Sequence, residues 1–140
     1  MPTEIQLHCD TIEDCYEFTL SYAAQGLATD EGSDSGRQVR EKLAKVVEAL
    51  KGLDKSCAVA IEQEGLEPAE KYEAFFAVLL RDAQSSLAAI ELVLAQPAIS
   101  SQLIDNLNAS MHVRALLTDL FLVTEILQLR QMRANAMTAS

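Results

Sequence analysis

A chain of 140 residues that is 49% hydrophobic, with five Gly, three Pro and no Trp, is long enough to bury a core without disulfides or a structural metal, and its Leu- and Ala-rich composition favours helices over a turn-rich sheet. The net charge of −10 is unevenly spread, since residues 1–36 hold eight acids and no Lys or Arg while residues 37–140 hold thirteen acids against eleven bases. Such a surface repels phosphate, so neither nucleic acid nor an anionic membrane is expected as a partner, and the acidic first quarter is expected to face solvent or a basic protein.

At the N-terminus, Ile5, Leu7 and Cys9 alternate with Glu4, Gln6 and His8, a period of two that predicts a short extended arm over residues 1–9. Asp10 with Glu13 three residues later resembles a capping box, so the first helix is expected from Asp10, with Ile12, Tyr16, Leu20, Ala23 and Leu27 on its apolar side and Gly26 as a left-handed C-cap. An acidic flexible loop follows over 27–36, with Ser35 as the candidate cap of the next helix. Val39, Leu43, Val46, Leu50, Leu53, Cys57 and Ala60 then keep alternating spacings of four and three straight through Gly52, which predicts one helix of about 40 Å from residue 37 to near Gly65.

Glu67 and Pro68 open a third helix, in which Phe76, Leu80, Ala83, Leu87, Ile90 and Leu94 repeat the same alternation until Pro97 ends it. Ser100 or Ser101 is expected to cap a fourth, running through Leu103, Ile104, Leu107 and Met111 to Leu127, before a frayed tail over 134–140. The chain therefore reads as one all-α domain over 1–140, a four-helix antiparallel up-down bundle with a short extended N-terminal arm and long second, third and fourth helices. The last helix carries more apolar surface than the edge of a monomer needs, which points to a central position or a subunit interface and marks Leu116, Leu120, Phe121, Val123 and Leu127 as candidate interface residues.

Chemistry finds little support. Read as a calcium loop from Asp30, the segment TDEGSDSG supplies Asp34 and Glu41 at further ligand positions, but Gly32 replaces a ligand and Ser35 stands where the turn needs glycine. His8, Cys9 and Cys15 match no zinc spacing, and three Cys, an odd count, read as reduced thiols of a cytoplasmic protein. The N-terminal residues lack the basic and apolar regions of a secretory signal, and Asp119 and Glu125 interrupt the longest apolar run.

Asn108, Ser110, Arg114, Leu117, Glu125, Ile126 and Leu127 in the stretch NASMHVRALLTDLFLVTEIL, residues 108–127, faintly resemble the phosphoacceptor helix of sensor histidine kinases. Met111 occupies the acceptor position there, however, and His112 follows it about 100° further round the helix, so the resemblance implies no acceptor. Arg81, Asp82, Arg114 and Asp119 break the apolar pattern of the last two helices and are candidates for a buried pair. No catalytic residue, metal or cofactor is expected. The expected function is non-catalytic, through protein–protein contact and homo-oligomerisation; the alternative is a small-molecule pocket among Tyr16, Tyr22, Tyr72, Phe75, Phe76 and Phe121.

Overall fold

Thr3 starts the first helix well ahead of Asp10. Its hydroxyl accepts the Gln6 N–H while the Gln6 side chain accepts the Thr3 N–H, and this reciprocal pair satisfies two N–H groups at the helix start. In the computed structural model, which describes the backbone of residues 2–139 and side-chain burial for 2–138, the elements are α1 (Glu4–Ala24), α2 (Asp34–Gln63), α3 (Ala69–Leu94), α4 (Ser101–Ala109) and α5 (Met111–Ala139). The described residues contain helices and no strand.

The arm expected over 1–9 is thus helical from Glu4 onward, and Met1 lies outside the described residues. Ile5, Cys9 and Ile12 are spaced four and three apart and all are buried, whereas Leu7, which created the period of two, is exposed. The short run fitted both periods, and burial selects the helical one.

Ser33, rather than Ser35, caps α2 by accepting the Gly36 N–H. The helix passes unbroken through Gly52, and Gly26 and Gly65 adopt positive φ just beyond the ends of α1 and α2. Ser100 caps α4 through the Leu103 N–H. The single helix expected beyond that point is two, so the four-helix expectation gives way to five.

The break is at Ser110. Its ψ of 132° leaves the helical region, and its hydroxyl then accepts the His112 N–H while its carbonyl accepts the Arg114 N–H. Ser110 therefore ends α4 and caps α5 at once, with no Pro or Gly to announce it. Beyond it α5 carries the helix through the segment expected to fray, as far as Ala139; Ser140 lies outside the described residues.

Neighbouring long helices run in opposite senses. Lys42 meets Asp14 midway along α1, and Ser56, late in α2, reaches Glu4 at the start of α1. Arg40 reaches the carbonyl of Leu94, linking the start of α2 to the end of α3. Ser86 donates to the His112 carbonyl, linking late α3 to the start of α5, and Gln6 meets Gln131 near the two opposite ends of α1 and α5. α1 packs on α2, α2 on α3, α3 on α5 and α5 on α1, and α4 fills in against α1, α3 and α5. The core they enclose includes Ile5, Tyr22, Leu43, Leu53, Leu79, Ile99, Ile104, Leu116 and Leu120.

The acidic loop does more than connect. Asp30 is 8% exposed and takes a salt bridge from Arg40 together with the Ile99 N–H at 2.7 Å. Arg40 spends its remaining donors on the carbonyls of Leu94 and Gln96. Gly36 is required at this spot, because a Cβ there would lie 1.8 Å from the Asp30 carbonyl oxygen.

Arg40 holds the Asp30 carboxyl below its ordinary value against the opposing effect of burial, with the Ile99 N–H helping. A lowered carboxylate pKa stabilises the fold above the unfolded-state value and ceases to do so as pH falls. Asp30→Ala is expected to cost about 2–4 kcal/mol in urea unfolding near neutral pH. The difference from the unsubstituted protein should shrink as pH drops below about 4.

Candidate functional site

Along α5, residues 116, 120, 123 and 127 face inward, so 122, 126 and 129 must face outward, at spacings of four and three. These outward positions are Leu122, Ile126 and Leu129, with relative exposures of 50%, 36% and 54%. Phe121 and Met132 border them and are exposed as well. A helix in a water-soluble monomer places polar residues on such a face.

Beside this ridge, Tyr72, Phe75 and Phe76 of α3 join Leu122, Val123 and Ile126 of α5 around an open surface groove of about 260 Å³, with Lys71 at its rim. Tyr72 and Phe76 meet edge to face, with ring centroids 6.2 Å apart. Aromatic groove and aliphatic ridge form one continuous apolar surface on the α3–α5 side.

The interface residues expected from sequence lie largely elsewhere. Leu116, Leu120, Val123 and Leu127 are 3% exposed or less and belong to the chain's own core; of the five, only Phe121 is exposed. The apolar residues of this segment point to two sides of α5, and these four turn to the inner one. Of the expected pocket, Tyr72, Phe75 and Phe76 do come together, and Phe121 is absent from the groove lining. Tyr16 lines a separate small cavity of about 30 Å³ with Thr19 and Asn108, to which all five helices contribute. Tyr22 is fully buried and its hydroxyl donates to the Ile99 carbonyl at 2.6 Å, so it is a structural anchor rather than a pocket wall.

Reactive groups are placed as follows. Cys9, Cys15 and Cys57 are all buried as free thiols, and burial pushes Cys15 and Cys57 up to about 12 and raises Cys9 also. His8 lies over Gly52, where a Cβ would be 3.3 Å from its Nε2, a close but not forbidding approach to the end of a side chain. His112 is exposed at the start of α5. Asp34 is exposed and engaged by Arg37 and Gln38, and Asp30 is turned inward to Arg40. Among the described residues no three His, Cys, Asp or Glu side chains converge in a metal-binding group.

One acidic pair meets at the α3–α5 seam, Asp119 buried and Asp82 half-buried. Asp119 is 9% exposed, its Oδ2 has no donor to accept from, and Asp82 faces it across the seam. Desolvation and, after it, the neighbouring Asp82, which accepts from the protonated acid and repels the ionised one, together raise the Asp119 pKa to about 7. Neither carboxyl lines the groove described above. A raised carboxyl favours the protonated form in the folded state, so its contribution is present at low pH and is lost as pH climbs toward and through 7.

Comparison of the chain with protein-family models, with curated proteins and with solved structures finds no match. No helix among the described residues is long and apolar enough to cross a membrane.

Two outcomes test these placements. Leu120→Ala is expected to lower unfolding stability by about 2–5 kcal/mol, as an inward residue must, while leaving the particle mass unchanged in light scattering. Asp119→Asn, which keeps the shape but cannot ionise, should raise the melting temperature at pH 8 and change it little near pH 4, flattening the melting profile across that interval.

Proposed function

We propose that this is a non-catalytic helical protein that works through protein–protein contact, assembling with further copies of itself through the α3–α5 side. The observation that carries the reading is the outward apolar ridge of Leu122, Ile126 and Leu129 continuous with the Tyr72 and Phe75 groove. Burying such a ridge is worth about 25 cal/mol for each Å² removed from water, and aromatic and Met side chains such as those that border it are enriched at interfaces. The strongly acidic α1, which holds five acids and no base, is proposed to face solvent or a basic partner.

Catalysis has weaker support. The Asp119 carboxyl, whose pKa is raised, is buried away from the groove, and the thiols are buried and protonated at neutral pH. A small-molecule role is the second reading, favoured by the aromatic lining of the groove. Its volume of about 260 Å³ falls below the roughly 300–1,000 Å³ usual for ligand sites, and it is open along one side.

Sedimentation velocity over a concentration series is the test. The expected result is a particle heavier than the 15.3 kDa chain, reduced toward that mass by Leu122→Lys with the helical circular dichroism unchanged. A compact monomer at every concentration up to about 100 μM, a level well above the Kd of most specific assemblies, would refute self-assembly. A melting-temperature rise with one small molecule, abolished by Phe75→Ala, would favour the second reading instead.

A further inference from the structure

The charges on the exposed side of α5 say more than that the side is sticky. Continuing the outward spacing of four and three from Leu122, Ile126 and Leu129 leads to Arg133 and Ala136. Arg133 thus stands where the pattern calls for an apolar residue. Glu125 lies on the same exposed face, four residues before Leu129, and Arg133 lies four residues after it. Eight residues of helix separate the two by about 12 Å, so they cannot pair within one chain. Among the described residues neither forms an ion pair.

The pattern is palindromic about Leu129. Glu125 mirrors Arg133, Ile126 mirrors Met132, and Leu122 mirrors Ala136. An antiparallel helix of the same sequence, related by a two-fold axis through Leu129, would set Glu125 opposite Arg133 twice, Ile126 opposite Met132 twice, and Leu129 opposite itself. A foreign partner would place no such demand for internal symmetry on this face, whereas an isologous contact requires it.

The charge layout of the whole chain favours the same location. Two copies each carrying −10 repel one another, and contact through α1 would bring five acids against five. α5 instead carries Arg114, Arg130 and Arg133 against Asp119 and Glu125, and Asp119 is buried. Arg130 is turned to the carbonyls of Glu64 and Gly65 at the end of α2, which leaves Glu125 and Arg133 as the charges on the ridge itself.

We infer that the partner of this face is a second copy of the chain, docked as a two-fold dimer by antiparallel pairing of α5 about Leu129, with Glu125 of each copy against Arg133 of the other. This inference rests on the self-assembly reading above and deepens it. The contact closes on itself, so the assembly stops at two chains at this surface.

Charge reversal on the full-length protein tests the pairing. Glu125→Arg and Arg133→Glu each place like charges at both symmetric contacts, and each should weaken dimerisation about tenfold or more in sedimentation equilibrium. The double variant Glu125→Arg/Arg133→Glu restores opposite charges and should return the dissociation constant to within about threefold of the starting value. Both residues are exposed, so the fold is expected to be unaffected, with circular dichroism as the check.

A geometric readout accompanies it. Leu129→Cys should be joined across the axis by a short bis-maleimide, because position 129 faces its own copy, while Leu122→Cys alone should not be joined efficiently. The three natural thiols are buried and give little background. A protein that is monomeric throughout would overturn both this pairing and the self-assembly reading. A dimer indifferent to both single reversals, or one that Leu129→Cys fails to cross-link, would overturn the pairing alone. So would particles that grow past two chains through this face, because that growth requires a head-to-tail contact.

Discussion

The carboxylate of Asp30 is the point on which one end of the molecule closes. It receives Arg40 from the second turn of α2 and the Ile99 N–H from the α3–α4 connection, and Arg40 in turn binds the carbonyls of Leu94 and Gln96. Two stretches distant in sequence, 30–40 and 94–99, therefore meet on one ion pair. Around it, Ser101 accepts the Leu27 N–H and donates to the Tyr22 carbonyl, and the Tyr22 hydroxyl donates to the Ile99 carbonyl. Burying a charge is costly unless its partners are complete, and here each donor of consequence has an acceptor. The benefit is positional. By fixing Ile99 and Ser101, the cluster sets where α4 begins, and hence where α5 crosses back over α3.

The α3–α5 seam is built on different terms. Its polar groups are less completely satisfied: Asp119 Oδ2 has no partner as an ionised carboxylate, and Asn108 Nδ2, at the junction with α4, is also buried without one. Apolar contacts therefore hold this seam, through Leu79, Leu116, Leu120 and Val123 on its inner side. The outer side of the same two helices is where apolar surface reaches solvent. A seam stiffened by polar cross-links would leave fewer positions free for an outward apolar ridge; one held by packing can place apolar residues on both sides of α5.

Much of this was legible in the residues. The four-three spacing through Val39 to Ala60 and through Phe76 to Leu94 specified α2 and α3, because a periodic seam that long has no competing interpretation. Ile5 to Cys9 was misread because five residues fit a period of two as well as one of 3.6, and only the burial partner decides. The break at Ser110 was hidden because serine at a cap and serine within a helix look alike in sequence, and Asp30 looked like a loop acid because its partner is ten residues away and its second donor sixty-nine. On α5 the apolar residues nearly encircle the helix, so the sequence points to a central position or a subunit interface without saying which residues turn inward. The groove residues Tyr72, Phe75 and Phe76 were recognisable by composition. Their junction with Leu122 and Ile126 depends on how α5 crosses α3, which the Asp30 cluster and the Ser110 turn determine.

The acidity and the ridge are best understood together. A chain with a continuous outward apolar strip would stick indiscriminately if its surroundings were neutral, and a net charge of −10 opposes close approach in every orientation. Repulsion of that kind decays within roughly 10 Å at moderate salt, so it acts on encounter more than on a formed contact. An orientation that brings apolar residues together while pairing its few nearby charges escapes the penalty; one that presses α1 on α1 does not. In the proposed dimer, the distribution of acids would select against the wrong approach, and the local absence of acids on the ridge, broken only by Glu125 with Arg133 to answer it, would leave one approach open. Specificity in that dimer would arise from where charge is missing as much as from what the ridge attracts.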